Sequence, residues 1–177
     1  MTNFSRRSFL GAALALPSLA TPVASWARVV ERRQVSFVHT HTGEQLAATY
    51  FRAGAYDPGC LRQVNHLLRD FRSGDVASMD TGLLDILYDL QVLADRDSTF
   101  EVISGYRSPA TNAALRAQSG GVARQSLHMQ AKALDIRLTG FPTKKLRDHA
   151  LSLRRGGVGY YASSDFIHVD TGRVRSW

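Results

Sequence analysis

The chain has 177 residues, enough for one domain with a real core and too few for two of ordinary size. A hydrophobic share of 44% and a charged share of 21% exclude a disordered or fibrous chain, and no stretch has the length and apolarity of a membrane-spanning helix. The formal charge of +7 suits an anionic polymer as a partner, and equally a surface on which Lys and Arg are merely solvated.

Ser5-Arg6-Arg7-Ser8-Phe9-Leu10-Gly11 reads as a twin-arginine export motif, and a mildly apolar run from Phe9 to Ala20 follows it. Small residues at Ser25 and Ala27 suit cleavage after Ala27. The expectation is therefore a signal peptide over 1–27 and a single domain over 28–177, delivered to the periplasm. Losing Arg6 and Arg7 leaves a charge of +5. Export argues against nucleic acid as a partner and for cell-wall material, whose free carboxylates attract a basic protein. Cys60 is the only cysteine, so no intramolecular disulfide forms, and it reads as a small buried hydrophobe.

In chain order, residues 33–41 alternate as a strand, Thr42-Gly43 turns, and Gln45 to Arg52 is extended again. Asp57-Pro58 opens a helix to about Phe71, with Leu61, Val64, Leu67, Leu68 and Phe71 on one face. A second helix, about Gly82 to Arg96, is apolar enough to be buried. Phe100 to Ser104 is a core strand leading into Gly105-Tyr106-Arg107-Ser108-Pro109 and a short helix from about Ala110 to Ala117. Gln118 to Gln125 is a polar loop. Ala131 to Leu138 is a strand, and Pro142 to about Arg154 a helix with proline in its first turn. Val158 to Tyr161 and Phe166 to Asp170 form a hairpin around Ala162-Ser163-Ser164-Asp165. The fold class is α+β: a small antiparallel sheet with helices packed on one face and a cleft on the other.

His128, Asp135 and His168 are the residues that bear most on function. Two imidazoles and a carboxylate are a zinc donor set with the fourth tetrahedral position open to water, the signature of a catalytic site. Taken alone, a His and an Asp seven positions apart are a weak signal, for which a hydrogen-bonded core histidine or a surface ion pair is the commoner reading. Strand alternation adds weight. Leu134, Ile136 and Leu138 face one way and Asp135 the other, while Ile167 and Val169 oppose His168 and Asp170. Helices over the aliphatic rows would leave Asp135 and His168 together on the opposite face.

Ser126-x-His128-x-x-x-x-Ala133-x-Asp135, with Ser104-Gly105-Tyr106-Arg107-Ser108-Pro109 before it and Asp165-x-x-His168 after it, resembles the zinc D-Ala-D-Ala metallopeptidase (LAS-type) family. The segment His41-Thr42-Gly43-Glu44 and the ending from Phe166 to Trp177 resemble its YcbK-like murein endopeptidase branch. The resemblance implies one Zn2+ per chain, held by His128, Asp135 and His168. It makes Asp165 the catalytic base, although a turn aspartate is the alternative, and makes Arg107 the group that binds a substrate carbonyl or carboxylate. Ser126 either orients the site or caps its loop, and Asp170 either accepts from a ligand imidazole or forms an ion pair. Where the wider family has glycine three residues after the first histidine, this chain has Ala131, which fits unless the position needs a positive φ. His39 and His41 share one side of a strand, and with His66 and His149 they read as structural.

The expected activity is hydrolysis of peptide crosslinks in peptidoglycan during cell-wall remodelling. Carboxypeptidase action on stem peptides and non-catalytic peptidoglycan binding are the alternatives. Crosslink type and oligomeric state are not legible in the sequence.

Overall fold

The computed structural model describes residues 31–95 and 97–177; the expected signal peptide lies outside them. One sheet organises the chain. Its strands are β1 (Arg32–His39), β2 (Gln45–Arg52), β3 (Ala55–Tyr56), β4 (Phe100–Ser104), β5 (Ala133–Leu138), β6 (Gly157–Tyr161), β7 (Phe166–Asp170) and β8 (Arg175–Ser176). They lie in the order β3-β2-β1-β4-β5-β7-β6-β8. The helices are α1 (Pro58–Leu67), α2 (Thr81–Leu93), α3 (Pro109–Gln118) and α4 (Thr143–Leu153).

The α+β class stands, but the sheet is larger than expected and mixed, because β1 runs parallel to β4 and β8 parallel to β6. The first parallel pair follows from α1 and α2 carrying the chain back across the sheet between β1 and β4. Short β3 and β8 had no pattern long enough to announce them. Among the described residues, no helix is long and apolar enough to cross a membrane.

The core fills one side of the sheet. Val35, Phe37, Val102, Leu134, Ile136, Ile167 and Val169 meet Val64 and Leu67 of α1, Leu83, Leu87 and Leu90 of α2, and Leu146 of α4. Asp57 starts α1 by accepting from the amides of Gly59 and Cys60, with Pro58 at a first-turn position that needs no donor. Helix α1 stops at Leu67, short of the expected Phe71, because tertiary bonds claim the residues beyond it. The Leu68 carbonyl accepts from Tyr106 N at 2.7 Å, and buried Asp70 accepts from the amides of Arg72 and Ser108. That exchange fastens the loop after α1 to the segment carrying Arg107.

Candidate metal centre

Each part of the site is fixed by a local device. In the β5–β7 pair Asp135 stands opposite His168, and Ala133 opposite Asp170. These side chains share the face away from the aliphatic rows. A register shift at the end of β4, between Val102 and Ser104, brings Ser104 opposite Asp135.

His128 arrives from outside the sheet, on a single 3-10 turn, Leu127–Gln130. Ser126 caps that turn, its hydroxyl accepting from His128 N at 3.3 Å. Ala131 ends it with φ of 55° and ψ of 32°, so this position does take the left-handed conformation that favours glycine.

Three donor atoms converge. His128 Nε2 lies 3.2 Å from His168 Nδ1, His168 Nδ1 lies 2.9 Å from Asp135 Oδ1, and Asp135 Oδ1 lies 3.3 Å from His128 Nε2. Metal bonds of about 2.0–2.1 Å in tetrahedral array put donors about 3.3 Å apart, so the triangle has the dimensions of one face of a zinc polyhedron. Among the described residues, this is the one group of three or more His, Cys, Asp or Glu donors close enough to share an ion.

The far ring nitrogens are committed. His128 Nδ1 donates to the Gly105 carbonyl at 2.7 Å, and His168 Nε2 donates to Asp170 Oδ2 at 3.0 Å. Each imidazole therefore turns an unprotonated nitrogen toward the triangle when neutral. Gly105 is required by close approach, since a Cβ there would lie 2.4 Å from the Leu68 carbonyl oxygen. Asp170, fully buried, also accepts from the amides of Gly157 and Gly172 and from both terminal nitrogens of Arg175.

The electrostatics are strongly coupled. Burial pushes the Asp135 carboxyl up, but the two imidazoles outweigh it and hold the group well below the usual carboxylate range. Burial also opposes the charged form of Asp170, and His168, Arg175 and the two glycine amides overcome it, again with a depressed result. For His168, burial pulls the imidazole down while bonds to Asp135 and Asp170 raise it, and the net direction is up.

A cavity of about 340 Å3 opens over the triangle. Arg107 and Ser126 line it, with the Gly121–Gln125 stretch along one side. Arg107 Nη2 lies 3.9 Å from Asp135 Oδ2, and Ser104 and Asn112 accept from the guanidinium, while its buried Nε has no acceptor. Burial pulls the guanidinium below its ordinary value against the pull of Asp135; an arginine remains charged at neutral pH.

Asp165 is placed differently from the other motif residues. It sits at the tip of the β6–β7 hairpin with φ of 51°, does not line the cavity, accepts from Thr143 Oγ1 at 2.6 Å and lies 4.0 Å from Arg137 Nη1. Tyr161, Phe166, Arg175 and Trp177 do line the cavity, although sequence reasoning assigned them no role. The two-residue spacing of Arg175 and Trp177, which puts both on one side of an extended segment, was the available signal.

Two imidazoles and a carboxylate gathered under a cavity, with a fixed cation at the edge, have the donor chemistry of the catalytic metal-site class. The comparisons narrow the class. Residues 27–177 match the family described as peptidoglycan L,D-endopeptidase MepK. The chain belongs to this peptidase family. It is 41% identical over 176 residues to the peptidoglycan L,D-endopeptidase MepK of Escherichia coli K12, covering 98% of this chain and 97% of that protein. It is 43% identical over 168 residues to a Haemophilus influenzae protein named probable peptidoglycan L,D-endopeptidase MepK, covering 94% and 90%. No solved structure matches it significantly.

Proposed function

We propose that the chain is an exported zinc-dependent murein endopeptidase that hydrolyses L,D peptide crosslinks of peptidoglycan during cell-wall remodelling. The observation that carries the zinc reading is the donor triangle with edges of 3.2, 2.9 and 3.3 Å, whose far nitrogens are both engaged by acceptors. The names of the relatives support the substrate and the bond type. The twin-arginine motif at Arg6 and Arg7 supports export to the periplasm, with residues 28–177 as the catalytic domain.

In this reading His128, Asp135 and His168 hold the metal, which when bound supplies Lewis-acid polarisation and an activated water. Arg107 presents a permanent positive charge beside Asp135 and neutralises the oxyanion that develops on the scissile carbonyl. Ser126 caps the turn that carries His128, the Gly105 carbonyl fixes the His128 ring, and Asp170 fixes that of His168. Asp165 takes a proton from the water that attacks the peptide carbonyl and passes it to the leaving amine as the C–N bond breaks, an assignment resting on its spacing three residues before His168; its carboxylate must leave Thr143 to do so.

Mass analysis of digested peptidoglycan tests the reading. Purified protein is expected to carry about one zinc per chain and convert L,D-crosslinked dimers to monomers, while His168→Ala loses both metal and activity. Release of a terminal residue alone would replace endopeptidase by carboxypeptidase. Full metal with no cleavage would favour a binding module.

A further inference from the structure

The cavity has a wall that the mechanism leaves unused. Tyr161 and Phe166 are register partners across the β6–β7 pair, and their rings stack at 4.6 Å and 17°. Beside them Trp177 is anchored by its backbone, with Trp177 N donating to the Val158 carbonyl and Tyr160 N donating to the Trp177 carbonyl. Its indole lies against Gly159, where a Cβ would come within 2.7 Å of the ring, and Nε1 donates to the Tyr161 hydroxyl at 3.0 Å. The Arg175 guanidinium sits 4.8 Å from the indole centroid, and the His168 ring 5.2 Å from it.

The result is a continuous aromatic surface running from a proposed metal ligand to the hairpin tip, all of it lining the cavity. Trp177 is held on its backbone, at Nε1 and against Gly159, yet remains 52% exposed, and Tyr161 is 38% exposed. A rigid, half-exposed indole whose orientation is already fixed loses little entropy when a ligand covers it.

We propose that Trp177, backed by Tyr161 and Phe166, is a specificity-determining wall that packs against the aliphatic arm of the peptide residue adjoining the scissile bond. Arg107 meanwhile holds that substrate's carbonyl or carboxylate. The proposal rests on the murein-endopeptidase reading, and it assigns Trp177 to substrate binding, not to the reacting atoms.

The chain has two tryptophans, Trp26 and Trp177, so Trp26→Phe in the full chain makes Trp177 the only indole fluorophore. The probe is a soluble crosslinked muropeptide dimer. In the Trp26→Phe protein the dimer is expected to shift Trp177 emission saturably. Trp177→Ala is expected to raise KM about tenfold with kcat within about twofold and zinc content unchanged. Trp177→Phe, which keeps a flat ring over Gly159, should recover most of the loss and guards against a folding defect.

Cleavage with unaltered KM in Trp177→Ala and no emission change would overturn the wall and leave the endopeptidase reading intact. An emission shift without cleavage of any crosslink would overturn the activity and keep the wall as a binding surface. Loss of zinc in both variants would overturn the proposal by making Trp177 a support for His168.

Discussion

The protein carries two pairs of neighbouring imidazoles, and they come to opposite ends. His128 and His168 lie 5.0 Å apart by ring centroid and share Asp135, while His39 and His41, 5.9 Å apart, pack on Phe71. The difference is one of sheet parity. His39 is in register with Val102, which stands opposite Ile136, so its side chain continues the buried row of Val35 and Phe37. His168 stands opposite Asp135, on the other face. Both of its ring nitrogens meet carboxylates, whereas His39 Nδ1 accepts from the His41 amide and its Nε2 is buried without a partner. What distinguishes a donor site here is the set of acceptors around the rings, not the presence of two histidines.

The sharpest way to break the contrast is to exchange the support. Asp170→Asn keeps the shape beside His168 but removes the charge that accepts from Nε2 and anchors Arg175. Zinc affinity should fall roughly 10–100-fold, read by competition with a chromophoric chelator. His39→Leu removes an unsatisfied donor, and the His41 amide, being at an exposed residue, can turn to water. Zinc affinity should be unchanged and stability equal or higher by up to about 1 kcal/mol. An equal loss of zinc in both variants would end the distinction.

Asp70 links the two regions. Its carboxylate accepts from the amides of Ser108 and Arg72, while the neighbouring Phe71 carries the His39 and His41 rings. Burial pushes this carboxyl up, but bonds from Thr111, Ser108 and Arg72 prevail and hold it well below the usual range. A depressed folded-state value means the stabilisation is complete above the unfolded value of about 3.9 and is lost as pH falls through and below it. Asp70→Asn should cost about 1.5–3 kcal/mol at pH 7 in urea unfolding. The gap to wild type should close on acidification below about pH 4. A gap that stays constant down to pH 2 would remove Asp70 as the ionised clasp.

These residues also mark how far the sequence is legible. Asp135 and His168 could be put on one face because strand alternation needs only local pattern. The β1, β2, β4 and β7 segments were visible for the same reason. Asp70 and the Gly105 carbonyl could not be foreseen, since each acts on a segment far from it along the chain. The early end of α1 has the same origin: helix periodicity continues to Phe71, and the Leu68 carbonyl is taken by Tyr106 instead. The motif placed Asp165 near His168 along the chain, but a left-handed hairpin residue can turn its carboxylate toward Thr143, and spacing alone does not set that direction.

The smallest expected effect concerns the turn that makes His128 differ from His39, which rides on a strand. Ala131 closes that turn at φ 55°, where an L-residue costs about 1–2 kcal/mol relative to right-handed backbone. Ala131 is 3% exposed and belongs to the core cluster, so its methyl group is buried. Burying such a group contributes about 0.8 kcal/mol, and alanine also loses less backbone freedom on folding than glycine, by about 0.5–1 kcal/mol. The terms nearly cancel, so Ala131→Gly should change unfolding stability by less than about 1 kcal/mol and leave zinc affinity intact. Ala131→Val, β-branched at a positive φ, should cost more than about 2 kcal/mol and weaken zinc binding by moving His128. If glycine instead raised stability by the full strain energy, the buried methyl would contribute nothing, and alanine at this turn would be a cost that nothing in the fold offsets.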